Sequence, residues 1–203
     1  WCSRADVDVF QELQEWADGK IKLLTMAAEI PGAAAFCRAV SETGVSISLG
    51  HQLAGYEDLC RLRDAGAKSL THLGNAMPNT VDRHDNALLN GLACEGLIPM
   101  IIADGHHLPD RLVNYIIRSQ GFDQVIVVSD ASPLAGMSPG YYQTLGNDVI
   151  LEANGKLHNP QKQCLVGSSS TLVDCCGVLK RLNYSTAEIE LLTSTNPRRL
   201  LEE

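Results

Sequence analysis

"SLTHLGNAM", residues 69–77, decides how this chain folds. An apolar, strand-like run stops at His72, and a small polar loop, Gly74-Asn75-Ala76, follows at once. The same unit recurs in both directions along the chain. "IKLLTMAAE" runs to Glu29, with Pro31 suited to a helix start and Gly44 to its stop. "VSISLGH" runs to His51, and the helix-like "GYEDLCRLRDAG" follows. Downstream of His72 comes "NALLNGLACEG". "LIPMIIADGHH" carries Asp104, His106 and His107 ahead of "PDRLVNYIIRSQG", where Leu112, Val113, Ile116 and Ile117 share one helical face. "QVIVVSD" ends at Asp130.

Runs that are apolar on both faces read as parallel strands covered by helices. Strand and helix in alternation give an α/β fold. The candidates are a (β/α)8 barrel and a doubly wound sheet. No Gly-rich phosphate loop follows any strand, which weakens a nucleotide-binding doubly wound sheet. Polar residues at the C-terminal end of strand after strand suit the mouth of a barrel. Five units are visible and a closed barrel takes eight. Either three strands are missing from the N-terminal side of a single catalytic domain over residues 1–203, or this is not a full barrel.

Past Asp130 the pattern changes. "GYYQTLGNDVILEANGKLHNP" holds short β-like runs with Asn154-Gly155 as a hairpin signal, so a β-hairpin insertion is expected near 140–160. "GSSSTLVDCCGVLKRL" reads as a helix starting near Gly167 to Ser170. Ser185 with Glu188 is a capping box, and Thr195-Asn196-Pro197 starts a last short helix.

Composition narrows the function. The 203 residues are 45% hydrophobic and 20% charged, with a formal net charge of −8. An acidic surface argues against nucleic acid or anionic membrane as the main partner. A small phosphorylated ligand needs only a few local donors and stays compatible. Seven cysteines without a C-x-x-C pair, most of them in apolar helix-like segments, read as free thiols of a cytoplasmic protein. No signal peptide and no membrane-length apolar run is seen. The start, Trp1-Cys2-Ser3, has no initiator Met, as a processed or truncated piece would.

His51, His72 and Asp130 all end expected strands, and in a barrel they would share one mouth. Two imidazoles and a carboxylate suit a zinc-like or iron-like ion, which lowers the pKa of bound water and polarises a carbonyl. Asp130 would then take a proton and return it to the leaving group. Hydrogen-bonded structural histidines fill such positions too, and the residues alone leave both roles open. Arg83, in "PNTVDRHDN", is a solvated surface cation or, with Asn75 and a backbone N–H near Ala76, a grip on phosphate. His106 and His107 are a loop pair with no role, or one meets a ligand while the other faces solvent. Glu29 is a ligand or a rim hydrogen-bonder. His84 and His158 read as surface residues of polar loops.

With these residues placed, the chain resembles the N-acetylglucosamine-6-phosphate deacetylases of the amidohydrolase superfamily. The resemblance rests on "LLTMAAE", "SLGHQLAGY", "THLGNAM", "MIIADGHH", "VVSDASPLAG" and "CLVGSSSTL", in the family's order along nearly the whole chain. His51 and His72 stand 21 residues apart, as the family's metal-binding pair does. The resemblance implies a metal-dependent amidohydrolase barrel, with His51 and His72 as ligands of a divalent metal, zinc first and iron second. It implies Asp130 as catalytic base and acid. Asn75, Ala76, Arg83 and His107 would contact the sugar phosphate, and the Leu165-Val166-Gly167 stretch would line the pocket. The reaction implied gives glucosamine 6-phosphate and acetate.

Some positions depart from the family. Its glutamate ligand, in an H-L-E-G-P motif, and its small flanking β-domain have no counterpart, and Glu29 is not that glutamate. Gly74 replaces an aromatic, Gln52 a serine, and Ala28 a proline. The partner expected is a small amino sugar phosphate, and the assembly a homodimer or a complex with the missing N-terminal part. Two alternatives follow: an amidohydrolase for another N-acyl sugar or cyclic amide, and an inactive partial barrel that assembles with another chain.

Overall fold

The computed structural model describes residues 5–202, so the Trp1-Cys2-Ser3 start lies outside the described residues. In chain order the first elements are α1 (Val7–Trp16), β1 (Leu23–Met26), α2 (Ala33–Ser41), β2 (Ser46–Leu49), α3 (Tyr56–Asp64), β3 (Ala67–Leu70), α4 (Ala87–Ala93) and β4 (Ile98–Ile102). Then come α5 (Asp110–Gln120), β5 (Ile126–Val128), β6 (Gly140–Thr144), β7 (Asn147–Leu151), β8 (Leu157–Asn159) and β9 (Cys164–Leu165). The last are α6 (Leu172–Arg181), α7 (Thr186–Glu190) and α8 (Asn196–Glu202). Two compact units divide them. One takes residues up to Met100 and from Thr195 onward, the other Ile101–Ser194.

In the first unit β1, β2, β3 and the start of β4 pair in parallel, in chain order, with Leu24 beside Ile47, Leu49 beside Leu70 and Ser69 beside Ile98. All four residues of β2 are buried, as a strand covered on both faces requires. Helix α2 turns Ala33, Phe36, Cys37 and Val40 inward, and α3 turns in Leu59 and Leu62. Each large apolar side chain so buried contributes about 1.5–3 kcal/mol. Helix α1 has no counterpart among the strand–helix units read from the sequence. Asp6 caps it by accepting the Asp8 N–H at 2.9 Å, and its buried Phe10 meets Phe36 edge to face.

The second unit begins at Ile101, inside β4, whose next neighbour in the sheet is β5. Val113, Ile116 and Ile117 form the buried face of α5. A separate four-stranded antiparallel sheet follows, in the order β6-β7-β8-β9. Its first hairpin turns at Leu145-Gly146, where both residues are left-handed. Asn154-Gly155 makes the next connection, so the segment holds more than the single hairpin expected. Leu134, Val149, Leu151, Leu157 and Val166 form its core, with Tyr142 against them. His158 is not a loop residue. It lies in β8, half-buried, with Nε2 2.9 Å from Glu152 Oε1.

Helix α6 starts at Leu172 rather than near Gly167 to Ser170, because Thr171 and Asp174 form its cap, with the Thr171 N–H donating to Asp174 at 2.7 Å. Ser185 and Glu188 cap α7 as the sequence implied. The α/β class with a parallel sheet is observed. Cysteines 37, 94 and 175 are buried free thiols, Cys60 and Cys176 are half-buried, and Cys164 is exposed. Cys2 lies outside the described residues. Among the described residues no helix is long and apolar enough to cross a membrane.

Candidate active site

The strands end earlier than their apolar runs suggest. His51, His72, Asp104 and Asp130 are each the second residue past a strand, β2, β3, β4 and β5 in turn. Glu29 lies further out, three residues past β1. Three of the four share a backbone feature. His51 (φ 54°), His72 (φ 34°) and Asp130 (φ 51°) are left-handed. Such a conformation costs a non-glycine residue about 1–3 kcal/mol and gathers at functional positions.

In the first unit, register brings the two histidines together. Leu49 pairs with Leu70, so the residues two further on are neighbours. The Nε2 atoms of His51 and His72 stand 2.8 Å apart, with ring centroids at 4.6 Å and planes at 77°. His72 is buried and His51 exposed. Beneath them Thr71 Oγ1 links Thr25 Oγ1 at 2.9 Å and Ser48 Oγ at 2.6 Å. Gly50 is what allows this approach, since a Cβ there would fall 2.7 Å from Thr71 Cβ. Two ring nitrogens aimed at each other form a hydrogen bond, one donating and one accepting. Opened slightly, the same pair fits a zinc-like ion with about 2.0–2.1 Å to each nitrogen. Among the described residues no group of three or more His, Cys, Asp or Glu stands together as a metal site would need.

Glu29 is a brace. It is exposed, and its carboxylate accepts the Leu53 N–H at 2.8 Å, while Gln52 Oε1 accepts the Ala28 N–H at 2.9 Å. Together they strap the loop after β1 to the loop after β2.

Beyond β3 the chain turns tightly. The Asn75 N–H donates to the His72 carbonyl at 3.0 Å, with Gly74 at φ 85° between them. That backbone explains glycine where an aromatic stands in the family motif. Asn75 Nδ2 is buried and meets no acceptor among the described residues. Ala76 is exposed and left-handed. Arg83 is exposed, its Nε donating to His84 Nε2 at 3.1 Å. Its loop is stiffened by Asp82, whose carboxylate accepts the N–H groups of His84 (2.7 Å) and Asp85 (3.2 Å). A cleft of about 300 Å³ in this unit is lined by Leu53, Met77, Pro78, Asp82 and Asn86, among others.

In the second unit Asp104 is the centre. Its Oδ1 accepts the backbone N–H groups of His106 and His107, each at 2.9 Å. Its Oδ2 accepts His107 Nδ1–H and the Ser168 hydroxyl, each at 2.7 Å. Burial pushes this carboxyl up, but the bonds from His107 and Ser168 outweigh it and hold the group well below the usual carboxylate range. Burial, and then the Asp104 charge, push the Cys175 thiol up to about 12, so it stays neutral. His106 turns elsewhere, with Nε2 3.1 Å from the Asn154 carbonyl. Asp130 is exposed, and its carbonyl accepts the Ser168 N–H at 2.8 Å. Val166 packs its side chain into the antiparallel-sheet core, and its N–H donates to Leu157 at 3.3 Å. Asp104 and Ser168 were not among the expected site residues, although the D-x-x-H spacing from Asp104 to His107 was visible in "ADGHH".

No protein-family model matches the chain. Individual relatives do. An N-acetylglucosamine-6-phosphate deacetylase of Bacillus subtilis (strain 168) is 27% identical over 202 residues, 99% of this chain and 50% of its own length. An N-acetylgalactosamine-6-phosphate deacetylase of Escherichia coli O157:H7 is 26% identical, covering 89% of this chain and 48% of its own. The crystal structure of N-acetyl-D-glucosamine-6-phosphate deacetylase from Mycobacterium smegmatis superposes with a TM-score of 0.87 at 25% identity, over 97% of this chain and 53% of that one. By sequence and by fold the chain is similar to N-acetylglucosamine-6-phosphate deacetylases. It spans about half the length of the curated relatives it matches.

Proposed function

We propose that this chain carries part of a metal-dependent amide-hydrolase site, on part of a (β/α)8 barrel, that deacetylates N-acetylglucosamine 6-phosphate. The observation that carries the reading is the His51–His72 pair, two imidazoles on left-handed residues with Nε2 atoms 2.8 Å apart at adjacent parallel strand ends. They would hold a divalent metal, zinc by donor chemistry, with iron as the second choice. Bound there, such an ion would activate a water and polarise the acetamide carbonyl. Asp130 would take the water's proton and deliver it to the departing amine. The Asn75 side-chain donor, Ala76 N–H, Arg83 and His107 would hold the sugar phosphate, with the Val166 segment lining the pocket. The unpartnered Asn75 Nδ2 supports this grip, because a buried donor calls for an acceptor.

Two other readings have support of their own. The E. coli relative is named for N-acetylgalactosamine 6-phosphate, and Gly74 departs from the family motif, so a different N-acyl sugar fits too. The absence of a third ligand among the described residues favours a chain that works only with another polypeptide, a second copy or a separate segment. Acetate release from both sugar phosphates and from the unphosphorylated sugar, with zinc present, tests them. The proposal expects turnover of N-acetylglucosamine 6-phosphate and a loss of kcat/KM without the phosphate. An unchanged kcat/KM would remove Arg83 from the site. A stable, metal-free monomer in light scattering, with no partner bound, would count against the assembly reading.

A further inference from the structure

Asp104 and Ser168 lie outside every role assigned so far, yet both are buried polar residues. The Asp104 side chain is 1% exposed and that of His107 5%. A depressed carboxyl only accepts hydrogen bonds. Its Oδ1 is filled by two backbone N–H groups, so Oδ2 is left for the ring. His107 must therefore carry its proton on Nδ1, opposite Oδ2 at 2.7 Å, and Nε2 is the nitrogen left for a ligand.

Ser168 extends the arrangement. Its hydroxyl donates to Asp104, its N–H donates to the Asp130 carbonyl at 2.8 Å, and its carbonyl accepts the Ser132 N–H at 2.7 Å. One residue thus pins the carboxylate behind His107 and the turn that presents Asp130.

We infer that Asp104 and Ser168 are positioning residues: Asp104 fixes the Nδ1–H tautomer and aim of His107, and Ser168 couples that ring to the Asp130 turn. The inference rests on the proposal above for what His107 touches, but its physical core is separate. With Nε2 as the free acceptor, His107 takes a hydrogen bond from a sugar hydroxyl or a protonated phosphate oxygen. In the other tautomer the same nitrogen is a donor, and that contact is lost.

The test is the tautomer of His107, read by long-range nitrogen–proton NMR on the full chain at alkaline pH, where imidazoles are neutral. The wild type should show Nδ1–H. In Asp104→Asn the replacement oxygen stays on the two backbone N–H groups, which turns the amide nitrogen toward the ring. His107 should switch to Nε2–H, as a carboxylate-to-amide change does in serine-protease triads. Binding of N-acetylglucosamine 6-phosphate should weaken about 10-fold, one hydrogen bond's worth, in Asp104→Asn and in His107→Ala, with no further loss in the double variant. A wild-type ring already in the Nε2–H form overturns the inference, and that measurement needs no variant to fold. An unchanged tautomer in folded Asp104→Asn overturns it too. If the tautomer switches as expected but the sugar phosphate binds to neither protein, the positioning stands and the proposed substrate falls.

Discussion

His51 and His72 in the first unit face each other, whereas His107 in the second faces a carboxylate. The first pair is held by backbone: parallel register, left-handed turns and a glycine that lets the strand ends close up. Under the proposed function a cation would enter between the two Nε2 atoms. The second ring is held by side-chain and backbone donors packed around one buried anion, and it cannot turn without stranding them. The same fold supplies both, because parallel strands repeat one position, the second residue past the strand, with histidine after β2 and β3 and aspartate after β4 and β5.

The sharpest way to break this contrast is Asp104→Ala. It leaves the His107 Nδ1–H, the Ser168 hydroxyl and two backbone N–H groups buried without their acceptor, and should destabilise the chain by about 3–5 kcal/mol in denaturant titration. The pH dependence carries the sign. The folded carboxyl is depressed below its ordinary value of 3.8. Its stabilisation is full above about pH 4 and is lost as pH falls further toward the folded value. The gap between wild type and variant should therefore be constant near neutrality and shrink in acid. A gap that grew in acid would contradict the ionised, bonded carboxylate.

Gly50→Ala probes the other half of the contrast. A methyl group 2.7 Å from Thr71 Cβ should push the His51 and His72 turns apart at a cost of about 1–3 kcal/mol, seen as a lower melting temperature. His51→Gly should act the opposite way on stability. It relieves a left-handed backbone at φ 54° and should gain about 1 kcal/mol while removing a ring nitrogen. A loss of stability in His51→Gly would mean that the ring holds the fold together rather than waiting for a ligand.

Much of this was legible in the sequence. "QVIVVSD" announces a parallel strand because burial on both faces leaves no polar alternation, whereas "VSISLGH" alternates Val, Ser, Ile, Ser and Leu and buries its serines all the same. Ser185 with Glu188 announces a cap because the chemistry is local. His51 and His72 were legible as strand-end residues, and register did the rest. The true strand ends were not, since Gly50-His51 and Thr71-His72 continue the run in composition while the backbone has already turned. The antiparallel sheet was read only in part, because Leu145 stands before Gly146 where Asn, Asp or Gly is usual, and this left-handed leucine is held by strand pairing on either side. Ser168 was illegible as a partner of Asp104. A hydrogen bond across 64 residues leaves no local trace.

The measurement closest to the central claim is calorimetric titration of zinc into the purified chain and into His51→Ala and His72→Ala. The account predicts one zinc per wild-type chain, with binding lost in both variants. Zinc uptake that either variant retains, or none in the wild type, would contradict a metal held by this pair of strand-end histidines.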